Sequence, residues 1–351
     1  MSTKLDNLMN CSEYLKNGSI VAFPTETVYG LGGNAFNEDA IKKIYLVKER
    51  PTTDPLIIHV DTVTRLSEWN LVDLNRLEFE IIKKFADKFW PGPLTIILKS
   101  SLNVPDLVTA GSGFIGVRIP NNKLALSLIK NSNLPIAAPS ANKFGHISPT
   151  LISHVEKNFK NQNIINEPVY ILEDNVKCEI GIESTIIKFN NNFSEIDILR
   201  LGYFTAENFR EIFKGKINYK PEYKNFDEPL KSPGQFIKHY ATNCDTYYVT
   251  INKDDQILKL ESSNKYAILN IGGEIFNIKN KFGYYDNLSE NNDVDEAFKN
   301  YYKMLYKFEL KNSGQFTKLF IIVKSNIKDI KYNSLIDRIY RSSSGKKINL
   351  V

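Results

Sequence analysis

The chain has 351 residues, of which 42% are hydrophobic, 12% aromatic and 24% charged, proportions that exclude a disordered, collagen-like or coiled-coil protein. At roughly 100 to 200 residues per domain, this length predicts two domains. Forty-five Lys and Arg against 40 Asp and Glu leave a formal charge of +5, which suits an anionic ligand but falls short of a histone-like balance.

The first pattern, "LDNLMNCSEYLKNG", has the apolar spacing of a short helix that Gly18 can terminate in a left-handed conformation. "SIVAFPT" then reads as a buried strand. "NEDAIKKIYLVKER" predicts a helix with Asn37 as N-cap, acidic residues in its first turn, and Ile41, Ile44 and Tyr45 on one face. Further strand-like runs are "PLIIHV", "PLTIIL", "GVRIP", "PIAAPS", "VYILED", "STIIKF" and "IDILRL", with helical patterns over 73–89, 123–130, 150–159 and 205–213. Strands outnumber helices and do not strictly alternate with them, which predicts a mixed, twisted α/β sheet rather than a barrel. Residues 214–240 carry three prolines, two glycines and six Lys against three acids, with no sustained apolar period. This stretch reads as a linker that could equally lean over an anionic site. Beyond it, "DTYYVTI", "QILKLESS", "KYAILNIGG", "DEAFKNYYKMLYKFELKN", "KLFIIVKS" and "LIDRIYRSSSGKK" alternate strand and helix as a small parallel α/β domain does.

The three cysteines, Cys11, Cys178 and Cys244, lie far apart and form no Cys-x-x-Cys pair, so neither a disulfide framework nor a zinc knuckle is supported. The chain opens without an export-signal pattern and has no apolar run near the ~18 residues needed to cross a bilayer. A reduced, cytoplasmic protein with no membrane partner is expected. "GSGFIG" at 111–116 fits Gly-x-Gly-x-x-Gly, but a strand continues after it where a dinucleotide fingerprint would open a helix. Phosphate-loop, zinc-protease and nucleophile-elbow motifs are missing.

What remains is a series of polar clusters at strand ends, where sites are built. Each has a structural explanation taken singly. Thr25 and Thr27 could merely end a strand, Lys48 and Arg50 could be a solvated helix end, and Arg118 could be a strand residue paired to an acid. Ser140, Ser148 and Ser184 read equally as turn and cap residues, and His59 as a strand histidine. Together, several cations beside short hydroxyl residues and glycine-containing turns are what holds phosphate or carboxylate oxygens. An anion-binding enzyme follows from the residues alone.

The ordered series "FPTETVYGLGG", "KERPTTDPLIIHV", "FWPGPLTIIL", "VRIP", "APSAN" with "SPT", "GIEST", "LRLG" and "SPGQFIKHY" resembles the threonylcarbamoyl-AMP synthases in their two-domain form. The matching stretches span residues 21 to 240; for 242–351 the resemblance rests on domain position and on "LIDRIYRSSSGK". The resemblance implies a YrdC-like catalytic domain at 1–213 with a twisted mixed sheet. A linker at 214–241 would reach over the active site, and a small Rossmann-like parallel α/β domain would fill 242–351. It implies an L-threonylcarbamoyladenylate synthase, a nucleotidyltransferase joining L-threonine, bicarbonate and ATP with release of pyrophosphate, and Mg²⁺ on the ATP phosphates. The product would pass through downstream transferase proteins to ANN-decoding tRNA, for which weak direct binding is also implied. By the same resemblance Thr27, His59, Arg118, Ala138 and Ser184 would surround threonine. Arg50, Asp54, Ser140, Asn142, Ser148, Arg200 and Tyr240 would surround ATP, with Lys48 and Arg50 neutralising charge. Departures from the family pattern are Asp54 for a usual asparagine, Phe144 for a serine before glycine, Leu201 for a proline after Arg200, and an altered linker in which His239 and Tyr240 are kept. Two other readings are a tRNA- or double-stranded-RNA-binding module without catalysis, and a carbamoyl-transfer domain of the hydrogenase-maturation kind. Scattered lysines speak against the first, and missing acylphosphatase and zinc-finger segments against the second.

Overall fold

A computed structural model describes residues 3–160, 162–173, 178–190, 192–220, 239–272 and 281–350. The chain divides into two compact units. The first comprises Met1–Phe144, Pro149–Glu179 and Glu183–Phe236; the second comprises Gly145–Ser148, Ile180–Ile182 and Ile237–Val351.

The first unit is built on one mixed sheet. Its strands are β1 (Thr3–Asp6), β2 (Val21–Phe23), β3 (Gly30–Asn34), β4 (Ile57–His59), β5 (Leu94–Lys99), β6 (Phe114–Arg118), β7 (Ile136–Ala138), β8 (Val169–Leu172), β9 (Thr185–Asn190), β10 (Glu195–Arg200) and β11 (Lys216–Tyr219). Their spatial order is β1-β8-β2-β3-β7-β4-β6-β5-β9-β10-β11. The helices are α1 (Leu8–Lys16), α2 (Glu38–Lys48), α3 (Arg65–Glu68), α4 (Arg76–Phe89), α5 (Asp106–Thr109), α6 (Lys123–Ser132), α7 (Ile152–Phe159) and α8 (Ala206–Arg210).

Local chemistry explains the helix ends. The Asn37 side chain accepts from the Asp39 and Ala40 N–H groups, Glu38 and Asp39 sit at the positive end of α2, and Lys48 sits at its negative end. Asn75 and Glu78 form a reciprocal capping box on α4, which buries Ile82, Phe85, Ala86 and Phe89. Gly18 closes the turn after α1 with φ +77°. Several elements were not expected from the sequence, β1 and β11 among them. β1 was hidden because its four residues precede a helix pattern, and β11 occupies 216–219, so the stretch expected to open the linker at 214 instead adds an edge strand parallel to β10. The rest of that linker, 221–238, lies outside the described residues.

Directly paired strand residues share a face. Register therefore puts Ala22, Leu31, Ala137, Ile58, Val117, Ile96, Ile187 and Ile198 on one side, where they join the main apolar core with Phe85, Phe89 and Ile44. The opposite side carries Phe23, Gly30, Gly32, Ala138, His59, Arg118, Thr95 and Ile186 in neighbouring strands. Gly32 is required there, since a Cβ would meet Ile136 Cγ2 at 2.5 Å and Phe23 Cε1 at 2.7 Å.

The second unit has a parallel sheet of β12 (Asp245–Ile251), β13 (Ser263–Asn270), β14 (Phe282–Asn287), β15 (Lys318–Lys324) and β16 (Lys347–Ile348), in the order β14-β13-β15-β12-β16. Helices α9 (Val294–Lys311) and α10 (Tyr332–Ser342) complete it. The "QILKLESS" stretch expected to be helical is a 3-10 turn over Asp254–Lys259. No helix among the described residues is long and apolar enough to cross a membrane.

Candidate functional site

The turn after β2 is pinned by one hydroxyl. Thr25 Oγ1 donates to the Val28 carbonyl at 2.6 Å and accepts from the Thr27 and Val28 N–H groups. A hydroxyl has a single proton, so in the 2.8 Å contact between Thr25 and Thr27 it is Thr27 that donates. Thr27 Oγ1 in turn accepts from Arg118 Nη1 at 2.9 Å. Arg118 ends β6 opposite His59, and its Nε donates to the Gly92 carbonyl. Its Nη2 lies 2.7 Å from Glu26 Oε1, both side chains being almost fully buried. Burial, then the Arg118 charge, hold the His59 imidazole down at about 3, so it is neutral at physiological pH.

The neighbouring strands extend this arrangement. Thr95 Oγ1 and Ser184 Oγ are 2.7 Å apart, and Arg200 donates through Nε to the Ser184 carbonyl and through Nη2 to Ser184 Oγ, both at 3.0 Å. Ser184 Oγ has a second lone pair besides the one that accepts from Arg200, so either hydroxyl can donate in its contact with Thr95. Arg200 reaches this side of the sheet through a β-bulge between Ile198 and Arg200. Regular alternation would have sent it into the core with Ile196 and Ile198, and the extra residue re-aims it.

A second cluster forms around the end of α2. Lys48 is 1% exposed, and its Nζ donates to the Ser140 and Asn142 carbonyls while its own carbonyl accepts from the Phe144 N–H. Burial first, then the positive charge of Arg50, holds its pKa well below the ordinary lysine value; Asp54 acts in the opposite direction. After a left-handed Glu49 (φ 56°), Arg50 donates through Nε to the Asp54 carbonyl and through Nη2 to the Pro55 carbonyl, with Asp54 Oδ1 2.8 Å from Nη2. The charge of Asp54 is thus met by Arg50 within the protein. Tyr45, whose hydroxyl burial pushes up to about 12, donates to the Asp54 and Leu107 carbonyls, its single proton being shared or alternating between them.

The expected residues therefore fall into two groups in the first unit: Thr27, His59, Arg118, Ser184 and Arg200 on one sheet face, and Lys48, Arg50, Asp54, Ser140 and Asn142 around the end of α2. Ala138 lies on the same sheet face as His59, two residues before Ser140, which bridges to Gly30. Ser148 and Tyr240 belong to the second unit. There Tyr240 is buried with φ 62°, its ring 4.1 Å from His239 and 5.3 Å from Tyr302. Sequence reasoning passed over Glu26 and Thr95. The polar threonine inside the apolar run "PLTIIL" was the signal for the latter.

A family model described as "Telomere recombination", for Sua5, YciO and YrdC proteins, matches residues 13–202. A second, described as the C-terminal domain of threonylcarbamoyl-AMP synthase, matches 204–344. The chain is 37% identical to a threonylcarbamoyl-AMP synthase of Pyrococcus abyssi over 71% of this chain and 69% of that protein. It is 38% identical to the Bacillus subtilis protein of the same name over 69% of this chain and 66% of that one, just under two thirds of its length. The crystal structure of P. abyssi Sua5 complexed with L-threonine superposes with a TM-score of 0.81 over 99% of both chains, at 29% identity. The chain belongs to the threonylcarbamoyl-AMP synthase family, in its two-domain form.

Proposed function

We propose that the chain is an L-threonylcarbamoyladenylate synthase, converting L-threonine, bicarbonate and ATP to threonylcarbamoyl-AMP and pyrophosphate. The observation that carries the reading is the sheet face on which Arg118 and Arg200, each bonded to a hydroxyl side chain, stand on either side of Thr95. Such a row can hold a small anionic, hydroxylated substrate. Thr27, His59, Arg118, Ala138 and Ser184 are assigned to threonine. Lys48, Arg50, Asp54, Ser140, Asn142 and Arg200 of the first unit are assigned to ATP.

The chemistry makes modest demands of a nucleophile and large ones of position and charge. Bicarbonate breaks its C–OH bond to give carbon dioxide, whose carbon bonds to the threonine nitrogen; the ammonium gives up two protons, one leaving with that hydroxide as water and one passing to solvent, and a carbamate results. A carbamate oxygen then attacks the α-phosphorus in line, and the bond to the bridging oxygen of pyrophosphate breaks. Lys48 and Arg50 neutralise the leaving charge; Nε and Nη2 of Arg50 are held by the protein, which leaves its Nη1 edge for a phosphate oxygen. Magnesium enters bound to the ATP phosphates, as part of the substrate. The described residues contain no group of three or more acidic, histidine or cysteine side chains arranged for an ion. The product's destination is tRNA modification by separate transferase proteins. Purified protein given ATP, threonine and bicarbonate releases pyrophosphate in a threonine-dependent way; release no greater than in a heat-killed control would remove the assignment.

A further inference from the structure

Glu26 has no role in the reading above, yet its carboxylate is 97% buried beside Arg118. Its Oε1 lies 2.7 Å from Arg118 Nη2, but the two are out of line. Neither oxygen of Glu26 nor Nη2 makes a hydrogen bond within the protein, and the same holds for Nδ1 of His59, directly across the strand pair. Buried polar atoms without hydrogen bonds are rare; the 2.7 Å ion pair offsets part of the lost hydration of Oε1 and Nη2, while Glu26 Oε2 and His59 Nδ1 make no hydrogen bond at all. Here a bare donor edge and a bare acceptor edge lie side by side on the sheet face. That is the complement of a zwitterion, whose carboxylate and ammonium are likewise adjacent.

Resting on the synthase reading, we infer that Glu26 recognises the α-ammonium of threonine while Arg118 takes its carboxylate. Charge balance favours this. A neutral zwitterion entering beside a neutral Arg–Glu pair leaves no uncompensated charge in a buried place, whereas Arg118 alone would favour any carboxylate, with or without an amine. His59 stays neutral and so does not repel the ammonium. The turn fixed by Thr25 holds the Glu26 backbone in place, and Arg118 is fixed by Thr27 of the same turn and by Gly92, so both edges are set before the ligand arrives.

Calorimetric titration of the full chain with L-threonine and with 2,3-dihydroxybutanoate, in which a hydroxyl replaces the amine, tests the inference. The native protein binds threonine more tightly. In Glu26→Gln, threonine affinity falls about 10- to 150-fold, the loss of one charged hydrogen bond, while dihydroxybutanoate changes by less than about threefold, so that discrimination collapses. Equal loss for both ligands would mark Glu26 as merely structural and overturn the inference, as would unchanged threonine affinity. Should Glu26→Gln not fold, judged by near-ultraviolet circular dichroism, the native protein decides: equal affinity for the two ligands overturns the inference. Failure of the native protein to bind threonine at all, with or without ATP, would instead remove the synthase reading on which the inference stands.

Discussion

Replacing His59 by asparagine tests the electrostatics of the sheet face without reference to any substrate. In the folded protein the imidazole takes up a proton only near pH 3, against an ordinary value of 6.5. Between those values the unfolded chain binds the extra proton, so stability falls as pH is lowered. Taking the unfolded value as 6.5 and the folded one as about 3, acidification from about pH 7 to about pH 5 costs roughly 2 kcal/mol through this residue alone. Both tryptophans, Trp69 and Trp90, lie in the first unit, so their fluorescence in urea titrations follows that unit. The native protein should lose about 2 kcal/mol more than His59→Asn over this interval. Other titrating groups cancel in the difference, as does any fixed cost of the substitution. Identical losses would show that His59 is not held neutral by burial and Arg118.

Three further outcomes are expected. Arg200→Ala removes two bonds to Ser184 and lowers kcat/KM for pyrophosphate release roughly 10- to 150-fold; an unchanged rate in a folded variant would exclude Arg200 from the site. For Lys48, whose pKa is depressed, the rate falls with rising pH below the ordinary 10.5, while stability rises over the same window because the unfolded chain keeps its proton longer; rate and stability falling together would refute the assignment. Gly32→Ala forces a methyl against Ile136 and Phe23 and costs about 1–3 kcal/mol, read as a lower unfolding temperature; an unaltered melt would mean that the face is looser than described.

Much of this was legible in the sequence because it rests on local rules. The Asn37 cap, the left-handed Gly18, the helices near 73–89 and 123–130 and the rejection of "GSGFIG" follow from spacing and turn chemistry. The departure at Asp54 also became intelligible, since an arginine four residues earlier is within reach. What could not be read depends on register between distant segments. Alternation along "IDILRL" would put Arg200 with Ile196 and Ile198, and nothing in those six letters announces the bulge. Glu26 was overlooked because its significance comes from Arg118, 92 positions away, and Thr95 because its partner Ser184 lies 89 positions on, just before β9. β14, "FGYYDN", was missed since its glycine and aspartate interrupt the apolar pattern that parallel pairing to β13 makes unnecessary at its edge position.

Lys48 fastens the 140–144 segment twice, once through its ammonium and once through its main-chain carbonyl. The end of α2 and that segment therefore behave as a single mechanical part, and a push on either is felt by both. Lengthening or shortening the chain anywhere between Glu49 and Pro139 leaves this clasp intact only if the ends return to the same place.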